Sequence, residues 1–169
     1  GILRIVVHYL VEGWYQNRYG VTLQDDEILS LAGSQEGFAH VALTLCDPGD
    51  VVLVPNPGYP VFEAGPFLND AKIAYYELDK TNHYAPALDK IPEELAKKAK
   101  MMVVSYPLNP TCTCIEKADY EKIIAFAKKY NIAIIHDNAY SEIEYDGRTG
   151  FSFLSVQGAK EVGIEFNSL

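Results

Sequence analysis

Short apolar runs rich in β-branched and aromatic side chains recur along the chain, and between them apolar positions return every three to four residues. The runs EILSLAG (27–33), VVLVP (51–55), KIAYYEL (72–78), MMVVSYP (101–107), IAIIH (132–136) and EVGIEF (161–166) read as strands. Phe38, Val41, Ala42 and Leu45 fall at i, i+3, i+4 and i+7, and Tyr120, Ile123, Ile124, Ala127 and Tyr130 repeat that spacing. This predicts helices over 34–46 and 116–130. A buried strand, a helix and a second buried strand make a crossover unit, so 101–136 is expected to be a right-handed parallel βαβ. The fold class is therefore α/β: three layers, with a mostly parallel sheet and helices on both faces. LDKTNHYAPALDKIPEEL (78–95) is the most loop-like interval and too short for a second domain, so 1–169 is expected to be a single domain.

Composition narrows the partners. A chain of 169 residues that is 49% hydrophobic can bury a substantial core, which excludes a disordered chain. Its net charge of -9 comes without long acidic runs and leaves no basic stripe, so neither nucleic acid nor an anionic membrane is expected to bind. A small molecule or another subunit is the expected partner. No apolar run approaches bilayer length, and the first residues lack a signal-peptide cleavage pattern, so a cytoplasmic location is expected. Cys46, Cys112 and Cys114 are an odd count, which favours free thiols, and Cys112 with Cys114 are too few ligands for zinc. The chain does not start with Met, and EVGIEFNSL ends it directly after a strand with no capping signal. A piece of something longer is the expectation.

In an open parallel sheet, ligands bind beyond the carboxyl ends of the strands, and several polar residues sit there. Asp137 lies just past one such end, Asn109 past another in SYPLNP, and Tyr59 past a third in VPNPGYP, at the tip of a loop stiffened by prolines. At the start of helix 34–46, Gly33 is a flexible joint followed by Ser34 and Gln35, a ready anion site at a helix N-terminus. Each has an ordinary reading as well. Ser34 can be an N-cap, Asn109 a turn residue before Pro110, Tyr59 a packed surface ring, Tyr140 core on a short turn, and Asp137 the cap of that turn. His136, at the end of an apolar strand, reads as a packed imidazole and is left out of the site. Glu142, Glu144 and Asp146 read as a solvated face with a turn at Asp146-Gly147.

Together the candidates converge on one crevice. A phosphorylated aromatic ring with a basic nitrogen and a phenolic oxygen would use all of them. The anion goes to Ser34 and Gln35, the ring face to Tyr59, the phenolic oxygen to Asn109 and Tyr140, and the ring nitrogen to Asp137. That ligand is pyridoxal 5'-phosphate.

The motifs GSQEGF, PNPGYP, SYPLNPT and HDNAY, in that order, make nearly the whole chain resemble the large domain of the fold type I, class I/II aminotransferases. Within that class it is most similar to the aspartate and LL-diaminopimelate aminotransferase-like branch. The one departure is NPTCT, where the family usually has Gly after Asn-Pro-Thr. The resemblance implies transamination between an amino acid and a 2-oxo acid, a homodimeric parent protein, and a C-terminal small domain outside this sequence. It implies that the Schiff-base lysine lies just beyond Ser168-Leu169, so the 169-residue chain carries no catalytic residue of its own and is expected to be inactive alone. It also implies that the strand after that lysine lies between the first strand and the last one here, leaving an unpaired slot. Two other classes share these motifs: a pyridoxal-phosphate carbon-sulfur lyase, and the aminotransferase-like domain of a transcriptional regulator. A nicotinamide Rossmann enzyme is disfavoured, since no Gly-x-Gly-x-x-Gly follows a strand.

Overall fold

Five of the six predicted strands form, and all five pair in parallel. The computed structural model describes residues 2–168. Its helices are α1 (Ile2–Tyr19), α2 (Ser34–Leu45), α3 (Val61–Leu68), the one-turn α4 (Glu93–Ala96) and α5 (Lys117–Tyr130). The strands are β1 (Val51–Asn56), β2 (Lys72–Glu77), β3 (Ala99–Ser105), β4 (Ala133–Asn138) and β5 (Gly163–Asn167). Their spatial order is β2-β1-β3-β4-β5. Parallel strands covered on both faces carry apolar side chains at successive positions, which is why these segments read as unbroken apolar runs. The predicted helices appear as α2 and α5, and α5 connects the parallel neighbours β3 and β4.

Alternation along the strands divides the core into two. Val52, Val54, Met101, Val103 and Ile135 face α2 and α3, packing with Phe38, Val41 and Phe62. Val51, Leu53, Met102, Val104 and Ile134 face the other way, against Tyr120, Ile123 and Ile124 of α5 and Phe153. The result is the expected three-layer arrangement, with the sheet wholly parallel rather than mostly so.

The predicted strand at 27–33 does not form. Asp25–Glu27 is a single 3-10 turn and the following residues have no regular structure. A strand is stabilised through its neighbours, and this segment has no hydrogen-bonded partner strand. Between it and β5 lies a cavity of about 690 Å³ lined by Ile28, Leu29, Leu31 and residues 163–168. The apolar alternation is present, but Leu29 is 82% exposed.

Three helices were not predicted, the one-turn α4 (Glu93–Ala96) among them. α3 contains Gly65 and Pro66, both poor helix residues, and it holds through packing on α2. Gly65 permits that approach, because a Cβ there would lie 2.5 Å from the Phe38 carbonyl oxygen. α1 exposes Ile5, Tyr9 and Leu10 on one side and buries His8 and Tyr15 on the other, so its apolar residues do not form one simple stripe. The interval 78–95 is loop-like as expected, broken by 3-10 turns at Lys80–Asn82 and Leu88–Lys90.

Candidate active site

β4 runs from apolar residues into His136, Asp137 and Asn138 at its carboxyl end. Asp137 shares the face of Ile135, towards α2 and α3, and is 6% exposed. Its Oδ2 accepts a hydrogen bond from the Ser105 hydroxyl at 3.1 Å, Ser105 being its register partner on β3. Its Oδ1 is buried without a donor. Leaving a buried acceptor unmet costs roughly 1–3 kcal/mol, so such an atom calls for an explanation. Burial pushes the Asp137 pKa above the usual carboxylate value, against the opposing pull of His136, the Ser105 hydroxyl and the Ala139 N–H.

At the entry to α2 the N-cap is Gly33, with φ of 95°, and Ser34 is the first helical residue. The reading of Ser34 as the cap is thereby corrected. Gly33 adopts a conformation that side-chain-bearing residues avoid, the helix starts one residue earlier than a Ser34 cap would have it, and no side chain caps α2. The Glu36 carboxylate instead accepts the Ala32 N–H at 2.7 Å. The Ser34 and Gln35 N–H groups at the start of this twelve-residue helix thus keep their capacity for an anion, while the Glu36 N–H donates to the Gly33 carbonyl at 3.2 Å. Gln35 Nε2 donates to the Tyr59 hydroxyl at 3.0 Å, joining the helix entry to the loop after β1, and the Tyr59 ring meets Phe62 edge-on at 6.1 Å.

Asn109 opens a turn closed by the pairing of Leu108 with Thr113 and by the Cys112 N–H donating to the Leu108 carbonyl at 2.7 Å. Cys112 occupies a left-handed conformation, φ 57°, the geometry that suits the glycine usual there in the family it resembles. The turn forms nonetheless. Asn109 Nδ2 lies 3.5 Å from the Tyr140 hydroxyl, a long contact that aims two donors at one region. Tyr140 is not core: it is partly exposed at the end of β4 and precedes the 3-10 turn Ser141–Ile143. The turn at Asp146-Gly147 forms as predicted, both residues having positive φ.

All six candidates therefore lie at or just beyond the carboxyl ends of β1, β3 and β4, or at the α2 N-terminus. Two pairs are joined directly, Gln35 with Tyr59 and Asn109 with Tyr140. Among the described residues no hydrogen bond links either pair to Asp137. A cavity of about 1190 Å³ adjoins Asn109 and Tyr140 but not Asp137, and extends to His83, Cys114, Glu144 and Arg148. The 690 Å³ cavity touches Gly33 and Ser34. Sequence reasoning missed Ser105, whose signal was present: it ends an apolar strand beside the Asp137 strand. It also missed Glu165, a buried carboxylate on β5 that accepts from Ser152 Oγ at 2.8 Å and lies 2.9 Å from His136 Nδ1.

A wholly parallel α/β sheet with its polar candidates gathered at the strands' carboxyl ends defines a ligand-binding domain of the open-sheet kind. The pattern of the family described as aminotransferase class I and II matches residues 8–164, and the chain belongs to that family. It is 46% identical over 160 residues to an LL-diaminopimelate aminotransferase of Moorella thermoacetica, covering 94% of this chain and 41% of the relative. It is 48% identical over 160 residues to that of Halothermothrix orenii, again covering 94% and 41%. Among solved structures, the substrate-bound BacF of Bacillus subtilis superimposes with a TM-score of 0.92 at 37% identity, covering 96% of this chain and 41% of that one. An aminotransferase from Staphylococcus aureus gives 0.91 at 33% identity, covering 96% and 43%. The chain thus spans about two fifths of the length of these relatives.

Proposed function

We propose that the protein to which these residues belong is a pyridoxal-phosphate-dependent aminotransferase, with LL-diaminopimelate the first donor to test because its relatives carry that name. The observation that carries this reading is the Asp137 carboxylate, buried at the end of β4 with Oδ1 unmet. A protonated ring nitrogen is the donor that such an atom lacks. Charge pairing with it would reverse the cost of burying the ionised carboxyl.

The other residues fit the remaining parts of the cofactor. Ser34, Gln35 and the α2 N-terminus would hold the phosphate through N–H groups and helix dipole. Tyr59, tethered by Gln35, would lie against the ring, and Asn109 and Tyr140 would donate to the phenolic oxygen. Ser105 holds Oδ2 so that Oδ1 stays available. Bound pyridoxal phosphate supplies an electron sink for the substrate carbon that loses its proton. The chain's own part would be to orient the ring and to present the Asp137 carboxylate to its nitrogen.

In the family this chain resembles a lysine relays that proton, and neither Lys160 nor Lys117 lies among the candidate residues. Lys160 pairs with Glu27 at 2.6 Å, and Lys117 lies 3.9 Å from Glu121. We place the relaying lysine outside residues 1–169, so the chain alone is inactive. The exposed apolar side of α1 supports a covered surface in the longer protein, and a homodimer is the assembly we propose. Among the described residues no helix is long and apolar enough to cross a membrane. Three free cysteines support work in the cytoplasm.

The test is to purify the full-length protein and look for the visible absorption of bound cofactor. LL-diaminopimelate and other amino acids are then supplied with 2-oxoglutarate, and glutamate formation is followed. A protein without that absorption would sink the cofactor assignment, and pyruvate release without glutamate would make it a lyase.

A further inference from the structure

We propose that the buried network of Tyr120, His136, Glu165 and Tyr15 is the device that positions the Asp137 carboxylate, with His136 as a positioning residue acting through the strand that both share. The proposal rests on the cofactor reading above and deepens it.

His136 and Asp137 are successive on β4 and face opposite sides of the sheet. Both ring nitrogens of His136 have partners. Nδ1 lies 2.9 Å from Glu165 Oε2 and Nε2 lies 3.1 Å from the Tyr120 hydroxyl. Glu165, the register partner of His136 on β5, has a fully buried side chain and receives three further hydrogen bonds: from the Tyr15 hydroxyl at 2.9 Å, the Ser152 hydroxyl at 2.8 Å and the Phe153 N–H at 2.8 Å. The His136 ring also stacks on Phe153, with centroids 5.6 Å apart. One imidazole is thereby tied to α1, α5, β5 and the 152–153 turn.

Asp137 has far less of its own. A single side-chain bond from Ser105 holds Oδ2, so the direction in which Oδ1 points follows from the orientation of the β4 backbone. That backbone is locked one residue earlier by His136. Replacing a buried ionic pair with apolar packing is often neutral or stabilising, so stability alone is a weak reason for such a network. Orientation of a neighbouring functional carboxylate is a stronger one, as with the outer partners that orient metal ligands. His136 is also, with the Ser105 hydroxyl and the Ala139 N–H, a neighbour that opposes the burial-driven rise in the Asp137 pKa.

The test uses the full-length protein and the variants Tyr120→Phe and Glu165→Gln, each in the Asp137 and Asp137→Asn backgrounds. Pyridoxal-phosphate affinity is measured by absorption titration, and the Asp137 carboxyl is titrated by carbon-13 NMR in cofactor-free protein, with thermal melts to check folding. We expect each variant to weaken cofactor binding about three- to tenfold when Asp137 is present and to have little effect in the Asp137→Asn background, the mark of coupled groups. The Asp137 titration should move in both variants. Equal losses in both backgrounds, or an unmoved titration, would overturn the proposal and leave the network a structural one. A wild-type protein that binds no pyridoxal phosphate would overturn the cofactor reading instead, and the carboxyl titration would still decide whether the network governs Asp137.

Discussion

Asp137 and Glu165 are buried carboxylates on adjacent strands, and their surroundings push them in opposite directions. Burial holds Asp137 above its ordinary 3.8. Burial would raise Glu165 as well, but hydrogen bonding and charge from His136, with the Ser152 and Tyr15 hydroxyls, outweigh it and bring Glu165 below its ordinary 4.5. By linkage, ionised Glu165 stabilises the fold above its unfolded value, and that stabilisation is lost as pH falls through the folded one. Asp137 has the reverse sign, since the folded state holds its proton longer. Its ionisation costs stability as pH rises from 3.8 through the folded value. Urea unfolding across the pH range should therefore show Glu165→Gln losing stability above pH 4.5, with a flatter acid limb. Asp137→Asn should gain stability at neutral pH.

The same Asp137→Asn change should harm the site it stabilises. Loss of a charge-assisted hydrogen bond to a ring nitrogen corresponds to roughly ten- to a hundredfold weaker cofactor binding. Absorption titration of the full-length protein measures it, and unchanged affinity would place the ring nitrogen elsewhere.

Gly65→Ala tests the contact between α2 and α3. The added Cβ would meet the backbone oxygens of Phe38 at 2.5 Å and Ala39 at 3.0 Å, neither of which can swing aside. Despite the better helix propensity of alanine, the variant should lose about 1–3 kcal/mol of unfolding free energy, the usual cost of overpacking.

Cys112→Gly should act in the other direction. A left-handed residue with a Cβ costs about 1–2 kcal/mol, while glycine gives back about 0.5–1 kcal/mol in chain entropy, leaving a gain of up to about 1 kcal/mol. The Asn109 contact with Tyr140 does not involve the thiol, so cofactor affinity should stay the same.

Tyr59 offers a ring and a hydroxyl, and two substitutions separate them. Tyr59→Phe removes the bond from Gln35 and should change cofactor affinity little, whereas Tyr59→Ala removes the stacking surface and should weaken it about three- to tenfold. Equal effects would mean that the Gln35 tether, not the ring, is what the cofactor uses.

The strands were legible because a parallel strand covered on both faces must be apolar at nearly every position, and β1, β3 and β4 obey that rule. Residues 27–33 carry the same kind of signal without the strand, because pairing requires a partner that the pattern of one segment does not contain. α3 was illegible for the opposite reason. Gly65 and Pro66 argue locally against a helix that packing on α2 sustains. In the candidate site, a charged or amide residue straight after an apolar run stood out, which exposed Asp137 and Asn109. Glu165 did not, because a carboxylate inside an edge strand looks like a solvated position until His136, Tyr15 and Ser152 are seen to surround it.

The sequence by itself determined the five strands, the helices α2 and α5 and the residues at the strands' carboxyl ends, since periodicity and turn chemistry act over a few neighbouring positions. It also determined that the Ser34 helix entry, the Tyr59 loop and Asp137 follow one another along the chain. Only the tertiary structure decided that β1 lies between β2 and β3, that Ser105 and Asp137 are register partners, and that Asp137 keeps one oxygen unmet while His136 behind it has none. Those are facts of pairing across the sheet, set by which backbones share hydrogen bonds and which side chains are shut away from water together.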